Sequence, residues 1–272
     1  MTGKFRELIA WELEENWDFP VLELILAITI IQVLSLVTLA RDDADLLANI
    51  SRPLWSSMVF VFAISAAVVF GRSFGESIER RKLVVLLSYP VSRVQVFVAK
   101  FLSNFLATLC LFGSALFVEG ILLYMFKPNV YWLMFGDTWI MEVGNAPFIW
   151  GLMFFTLLLV VFFASSLMTF LSLMVKRFGL SVLIFLIYLF GMEYWAGAVG
   201  NRVPQAYLSL SLGPESIVRY LTAWYVNTFT ENYMGTGALT VGFFLTGFCY
   251  LLMGGLVFLL ASLILSQRID LD

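Results

Sequence analysis

The sequence predicts an all-α integral membrane protein of about six transmembrane helices. An amphipathic helix lies at the membrane surface before the first span, and a re-entrant outer hairpin separates spans 5 and 6. Three observations carry this reading. Of 272 residues, 61% are hydrophobic and 13% charged, whereas a soluble domain has about 25% charged and 45–50% apolar residues. The mean hydropathy is +0.93, too high for any water-soluble core to absorb. Six stretches reach the roughly 20 residues that a span needs: about 19–40, 53–71, 96–126, 147–175, 178–199 and 238–266. The chain reads as one transmembrane domain, 1–272, with no linker, low-complexity tract or internal repeat.

Residues 1–18 are too charged to span. Phe5, Ile9, Leu13 and Trp17 form an i, i+4 row with Leu8 beside it, while Arg6, Glu7, Glu14 and Glu15 face elsewhere. Glu12 and Asn16 intrude on the apolar side. Two tryptophans favour a helix lying on the membrane over a merely solvated one. The acidic start, with no small-residue cleavage site after it, does not fit a signal peptide. Glu23 opens span 1 near the inner surface.

Between spans 2 and 3 lies the main charged stretch, Gly71 to Lys100. It holds Arg72, Arg80, Arg81, Lys82, Arg93 and Lys100, six of the 16 Lys and Arg. A charged collar (Glu76, Glu79, Arg80, Arg81, Lys82) precedes an apolar row, Leu83, Leu86 and Leu87. Pro90 ends the run, because proline cannot continue a helix begun before it. The pattern predicts a short cytoplasmic helix over 75–90, a turn, and a second helix entering the membrane. Such i, i+3, i+4 anchors suit docking in a groove; the plainer alternative is a helix resting its basic residues on anionic lipid.

The run Glu79-Arg80-Arg81-Lys82-Leu83-Val84-Val85-Leu86-Leu87-Ser88-Tyr89-Pro90-Val91-Ser92-Arg93, followed by Ala99-Lys100-Phe101-Leu102, resembles the cytoplasmic segment of ABC-2 type transporter permeases. In that family an acidic helix ends in a Leu-Leu-Ser-x-Pro-Val-Ser-Arg turn, and Gly-Lys-Phe opens the third span. Here Arg81-Lys82 stands where Gly-Thr is usual, and Ala99 where glycine is common. The resemblance implies that 75–90 is a coupling helix gripped by a cytoplasmic ATP-binding-cassette ATPase, through Glu76, Glu79, Arg80, Arg81, Lys82, Leu83, Leu86, Leu87, Pro90 and Arg93. It also implies a second permease copy or a homologous permease, with ATP and Mg on the partner ATPase and no cofactor in this chain.

Counting basic residues sets the orientation. With the N-terminus inside, Lys4, Arg6, Arg72, Arg80, Arg81, Lys82, Arg93, Lys100, Lys176, Arg177 and Arg268 are inner, eleven against five outer. Both termini are then cytoplasmic, in the cell membrane. The outer loop 127–146 carries Tyr131, Trp132 and Trp139, which suit an interfacial layer. In the loop 200–237, residues 216–229 are semi-apolar but too short to span, hence the re-entrant hairpin. The dipeptide Lys176-Arg177 is a tight basic turn between spans 4 and 5. Gly242, Thr246 and Gly254 form a small-residue ridge on the last span, read as packing within the chain.

Glu119 and Glu193 lie in the outer parts of their spans, on the order of 20–27 Å above the cytoplasmic side at 1.5 Å per residue. Charge at that depth faces protein or water. They either snorkel and pair with Arg202 or Arg219, or line an outward vestibule as pathway residues. Ser165, Ser166, Thr169 and Ser172 form a row on span 4, where hydroxyls bonding back to their own helix are the usual arrangement.

Several chemistries are absent. There is no histidine, which removes His-based zinc proteolysis, haem ligation and Ser-His catalysis. Cys110 and Cys249 lie inside apolar runs, so no disulfide framework is expected. The only Gly-Lys pair is Gly3-Lys4, so no phosphate loop exists to bind ATP. No catalytic, cofactor or metal residue is expected, and no nucleic-acid partner; membrane lipid is the surrounding solvent. The sequence thus points to the permease of an ATP-driven exporter, with a stand-alone secondary transporter or channel as the alternative.

Overall fold

The computed structural model describes residues 2–17, 23, 26, 27, 30, 64–80, 92–126, 133–135, 138–140, 146–199 and 241–268. Almost all of them are helical. In chain order they form α1 (Thr2–Trp17), α2 (64–79), α3 (Arg93–Phe126), β1 (Leu133–Phe135), β2 (Thr138–Ile140), α4 (Ala146–Val175), α5 (Phe178–Val199) and α6 (Val241–Arg268). Four of these, α3 to α6, are long and apolar enough to cross a membrane. The shortest, α5, has 22 residues, about 33 Å at 1.5 Å per residue, against a hydrocarbon core of about 30 Å. The chain is a membrane-embedded helical protein.

Span 1 lies outside the described residues except Glu23, Leu26, Ala27 and Ile30, all helical and exposed. Span 2 is described from residue 64 and does not stop at Gly71 as its sequence suggests. It runs on through a π-helical stretch, Gly71–Glu76, and a last α turn, Ser77–Glu79. The described part of the expected loop helix, 75–80, thus has no separate beginning at residue 75 but continues span 2. Residues 81–91 and the hairpin expected within 200–237 lie outside the described residues. The segment after α3 adds a small antiparallel ladder, with Met134 opposite Trp139.

α4 is the hub. It packs against α6, α5, α3 and the π-helical part of α2. Within its most apolar window 67% of residues are buried, against 17% for α5 and α6. It therefore carries Val160, Val161, Phe163, Ala164 and Met168 inside the protein, while α5 and α6 turn Ile187, Phe190, Val257 and Leu260 outward. That outer face is apolar because its solvent is hydrocarbon. Aromatic rings fill the joints. Phe70 meets Phe101 at 5.4 Å and Phe74 meets Phe97 at 5.6 Å between α2 and α3. Phe258 of α6 meets Phe163 at 6.0 Å and Phe170 at 5.4 Å on α4.

The close approach of α6 to α4 falls at Gly255, one residue from the predicted ridge member Gly254. A Cβ at Gly255 would stand 2.6 Å from the Phe162 ring. This contact is made by Gly255 and not by the ridge residues Gly242, Thr246 and Gly254.

Candidate functional site

Five helix ends meet at one end of the bundle. α2 finishes there and α3 begins there; α4 turns into α5 there; α6 ends there. Each joint has a local cause. α3 starts at Arg93 because Ser92 and Gln95 form a capping box: the Ser92 Oγ accepts the Gln95 N–H at 3.2 Å, and the Gln95 Oε1 accepts the Ser92 N–H at 3.1 Å. α4 stops after Val175 because Lys176 takes a left-handed conformation, φ 57°, while its N–H still closes on the Ser172 carbonyl at 3.0 Å.

Two contacts tie the roots of the loop 81–91 to other helices. The Glu79 Oε2 accepts the Phe178 N–H, the first amide of α5, at 3.3 Å. A carboxylate there meets the positive end of the helix dipole. Gly75 makes this possible, since a Cβ would lie 3.0 Å from the Phe178 Cα. On the other root, the Arg93 Nη1 donates to the Gln267 carbonyl near the end of α6 at 3.0 Å. Glu76 is held between Arg72 at 3.2 Å and Arg80 at 2.9 Å along its own helix. Both arginines are largely exposed, so each pair contributes only about 0.3–0.5 kcal/mol.

Of the expected coupling set, the structure pairs Glu76 with Arg80 and ties Glu79 to α5 and Arg93 to α6. Arg81, Lys82, Leu83, Leu86, Leu87 and Pro90 lie outside the described residues. Glu193 is half-buried on α5. Glu119 lies on α3, with its side chain outside the described part.

Lys100 corrects the sequence reading. It does not belong to the water-facing loop but is buried, 2% exposed. Its Nζ lies 3.0 Å from both carboxylate oxygens of Glu12 and 3.5 Å from the Ser77 Oγ. Glu12 is equally buried. The charge that spoils the apolar face of α1 is therefore the partner of a charge seven residues into α3, and α1 packs along α3 around it. Two misplaced opposite charges in the sequence were the signal for this joint.

The hydroxyl row on α4 also departs from expectation. Only Thr169 bonds back, donating to the Ser165 carbonyl at 2.8 Å. The Ser165, Ser166 and Ser172 hydroxyls are buried with no partner. Cys110 and Cys249 are free. Among the described residues no cluster of metal-ligating side chains occurs.

No family model matches the chain, and no curated protein matches it in sequence.

Proposed function

We propose that the chain is the membrane-spanning permease subunit of an ATP-binding-cassette exporter. It forms part of the translocation pathway and couples to separate ATPase subunits through the cytoplasmic loop 75–90. In this reading six spans cross the cell membrane with both termini inside, a second permease copy or a homologue completes the pathway, and ATP and Mg stay on the ATPase. The carrying observation is the anchoring of the loop at both roots, Glu79 to α5 and Arg93 to α6. A push on 81–91 therefore reaches α5 through one root and α6 through the other. The resemblance of 79–102 to ABC-2 permeases supplies the identity of what pushes.

The test is co-purification. The tagged chain should bring down a soluble ATPase of roughly 200–300 residues, a single-domain size. Leu87→Glu should abolish that capture with normal membrane yield, because an unpaired charge buried at an interface costs several kcal/mol. Capture of the ATPase at wild-type level by Leu87→Glu would remove the docking helix from this loop.

One observation favours the secondary-transporter alternative: a buried ion pair, Glu12–Lys100, of the kind that carriers use. It lies seven residues past Arg93, about 10 Å into the bundle, short of the midplane where carrier sites sit. Uptake into vesicles driven by an ion gradient without ATP would select that alternative.

A further inference from the structure

The exposed apolar residues of α5 fall on one stripe. Leu180, Leu183, Ile187 and Phe190 are 46%, 52%, 63% and 59% exposed, at the i, i+3, i+7, i+10 spacing of a single helix face. Ser181, Phe185 and Leu189 lie on the other side and are buried in the protein. From Leu180 to Phe190 the stripe is about 15 Å long at 1.5 Å per residue, half of a 30 Å hydrocarbon core. That is the depth of one lipid leaflet.

The head of the stripe is basic. α5 starts from Arg177, whose carbonyl accepts the Ser181 N–H at 3.1 Å, three residues before Leu180. Lys176 stands beside it in the left-handed turn that ends α4. Both residues are exposed, and among the described residues neither side chain has an anionic partner. The carboxylates at the adjoining end of α2 are engaged elsewhere. Glu79 accepts the Phe178 N–H, and Glu76 lies between Arg72 and Arg80. Glycine would take the backbone conformation of Lys176 without strain, so a lysine in this place points to a use for its charge.

We infer that this face of α5 binds an anionic phospholipid, with the phosphate on Lys176 and Arg177 and an acyl chain along Leu180, Leu183, Ile187 and Phe190. Each half of the face fits one half of the molecule. Two unpaired cations meet the headgroup charge, and the apolar stripe meets the hydrocarbon. α6 supplies the contrast. Its exposed stripe, Met253, Val257, Leu260 and Ile264, leads to a single cation, Arg268. That cation stands at the carbonyl end of its helix, where the partial negative charge disfavours phosphate. The inference is independent of the exporter reading, since its test involves no ATPase and no transport.

The test uses the full chain in vesicles after Cys110→Ala and Cys249→Ala, with a fluorophore on Leu183→Cys, or on Leu260→Cys as the control. These positions are six and eight residues from Arg177 and Arg268. Phosphatidylglycerol and phosphatidylcholine, each with dibrominated acyl chains, are the quenchers, titrated as a fraction of the host lipid. At Leu183→Cys phosphatidylglycerol should be preferred at least about fivefold, the effect of one basic residue near the surface, and at Leu260→Cys by less. Adding Lys176→Gln and Arg177→Gln should bring the preference at Leu183→Cys down to that of the control, while Arg268→Gln should leave it unchanged. The comparison of the two labels decides the matter even where the neutralised variant fails to fold. Equal preference at both labels overturns the lipid site, as does a preference that survives neutralisation. A label on Leu183→Cys that neither lipid quenches also overturns it, because a second copy or another protein then covers the stripe.

Discussion

The Lys100 ammonium lies 3.0 Å from both oxygens of the Glu12 carboxylate, and both side chains are sealed from solvent. Breaking such a pair leaves an uncompensated buried charge, which costs about 3–5 kcal/mol, whereas replacing both partners by apolar side chains is often neutral. Glu12→Met and Lys100→Met should each lower thermal stability in detergent sharply. The double variant should regain most of the loss. Equal, additive losses would show that the pair contributes nothing as a unit.

Close packing makes a second, comparative prediction. At Gly255 an added methyl would strike the Phe162 ring at 2.6 Å and come within 3.4 Å of the Phe163 backbone. At Gly71 the nearest atom is the Cε of Met168, the far end of a flexible side chain. Gly255→Ala should therefore cost about 1–3 kcal/mol and Gly71→Ala less, both read as midpoints of thermal unfolding. The reverse order would mean that α4 and α6 can separate more easily than α2 and α4.

Lys176 adopts φ 57° without being glycine, a conformation that costs an L-residue roughly 1–2 kcal/mol. Lys176→Gly should raise the unfolding midpoint while leaving α4 and α5 in place. A lowered midpoint would show that the lysine side chain itself holds the turn.

The sidedness of the charged end is testable directly. Cysteines at Asp137 and Asn227 should react with an impermeant thiol reagent from outside intact cells, because basic residues gather at the opposite end. Labelling only after lysis would invert the topology.

Glu119 and Glu193 separate two roles by a single atom change. Glu119→Gln and Glu193→Gln keep shape and remove charge. Reduced transport at normal expression places them on the pathway; unchanged transport in both assigns them to the interface.

Long apolar stretches were legible because hydropathy is summed over some twenty residues, and small errors cancel. The boundary between α4 and α5 came out at Phe178 because a basic dipeptide cannot remain in hydrocarbon. The start of α3 was readable in principle from Ser92 and Gln95, a capping box inside the charged loop. The strands around Trp139 were not, since three residues are too few for an alternating pattern to show. The Glu12–Lys100 joint needs two residues 88 apart in the chain to be considered together, and no local window does that.

The π-helical stretch Gly71–Glu76 sets the phase of everything after it. Relative to an uninterrupted α-helix, an i→i+5 turn accommodates one extra residue, which is about 100° of rotation at 3.6 residues per turn. Ser77 points at Lys100, and Glu79 at the first amide of α5, only with that offset included. Shortening this stretch by one residue would swing both side chains off their targets at once, undoing the anchorage of the loop without altering any residue that forms it.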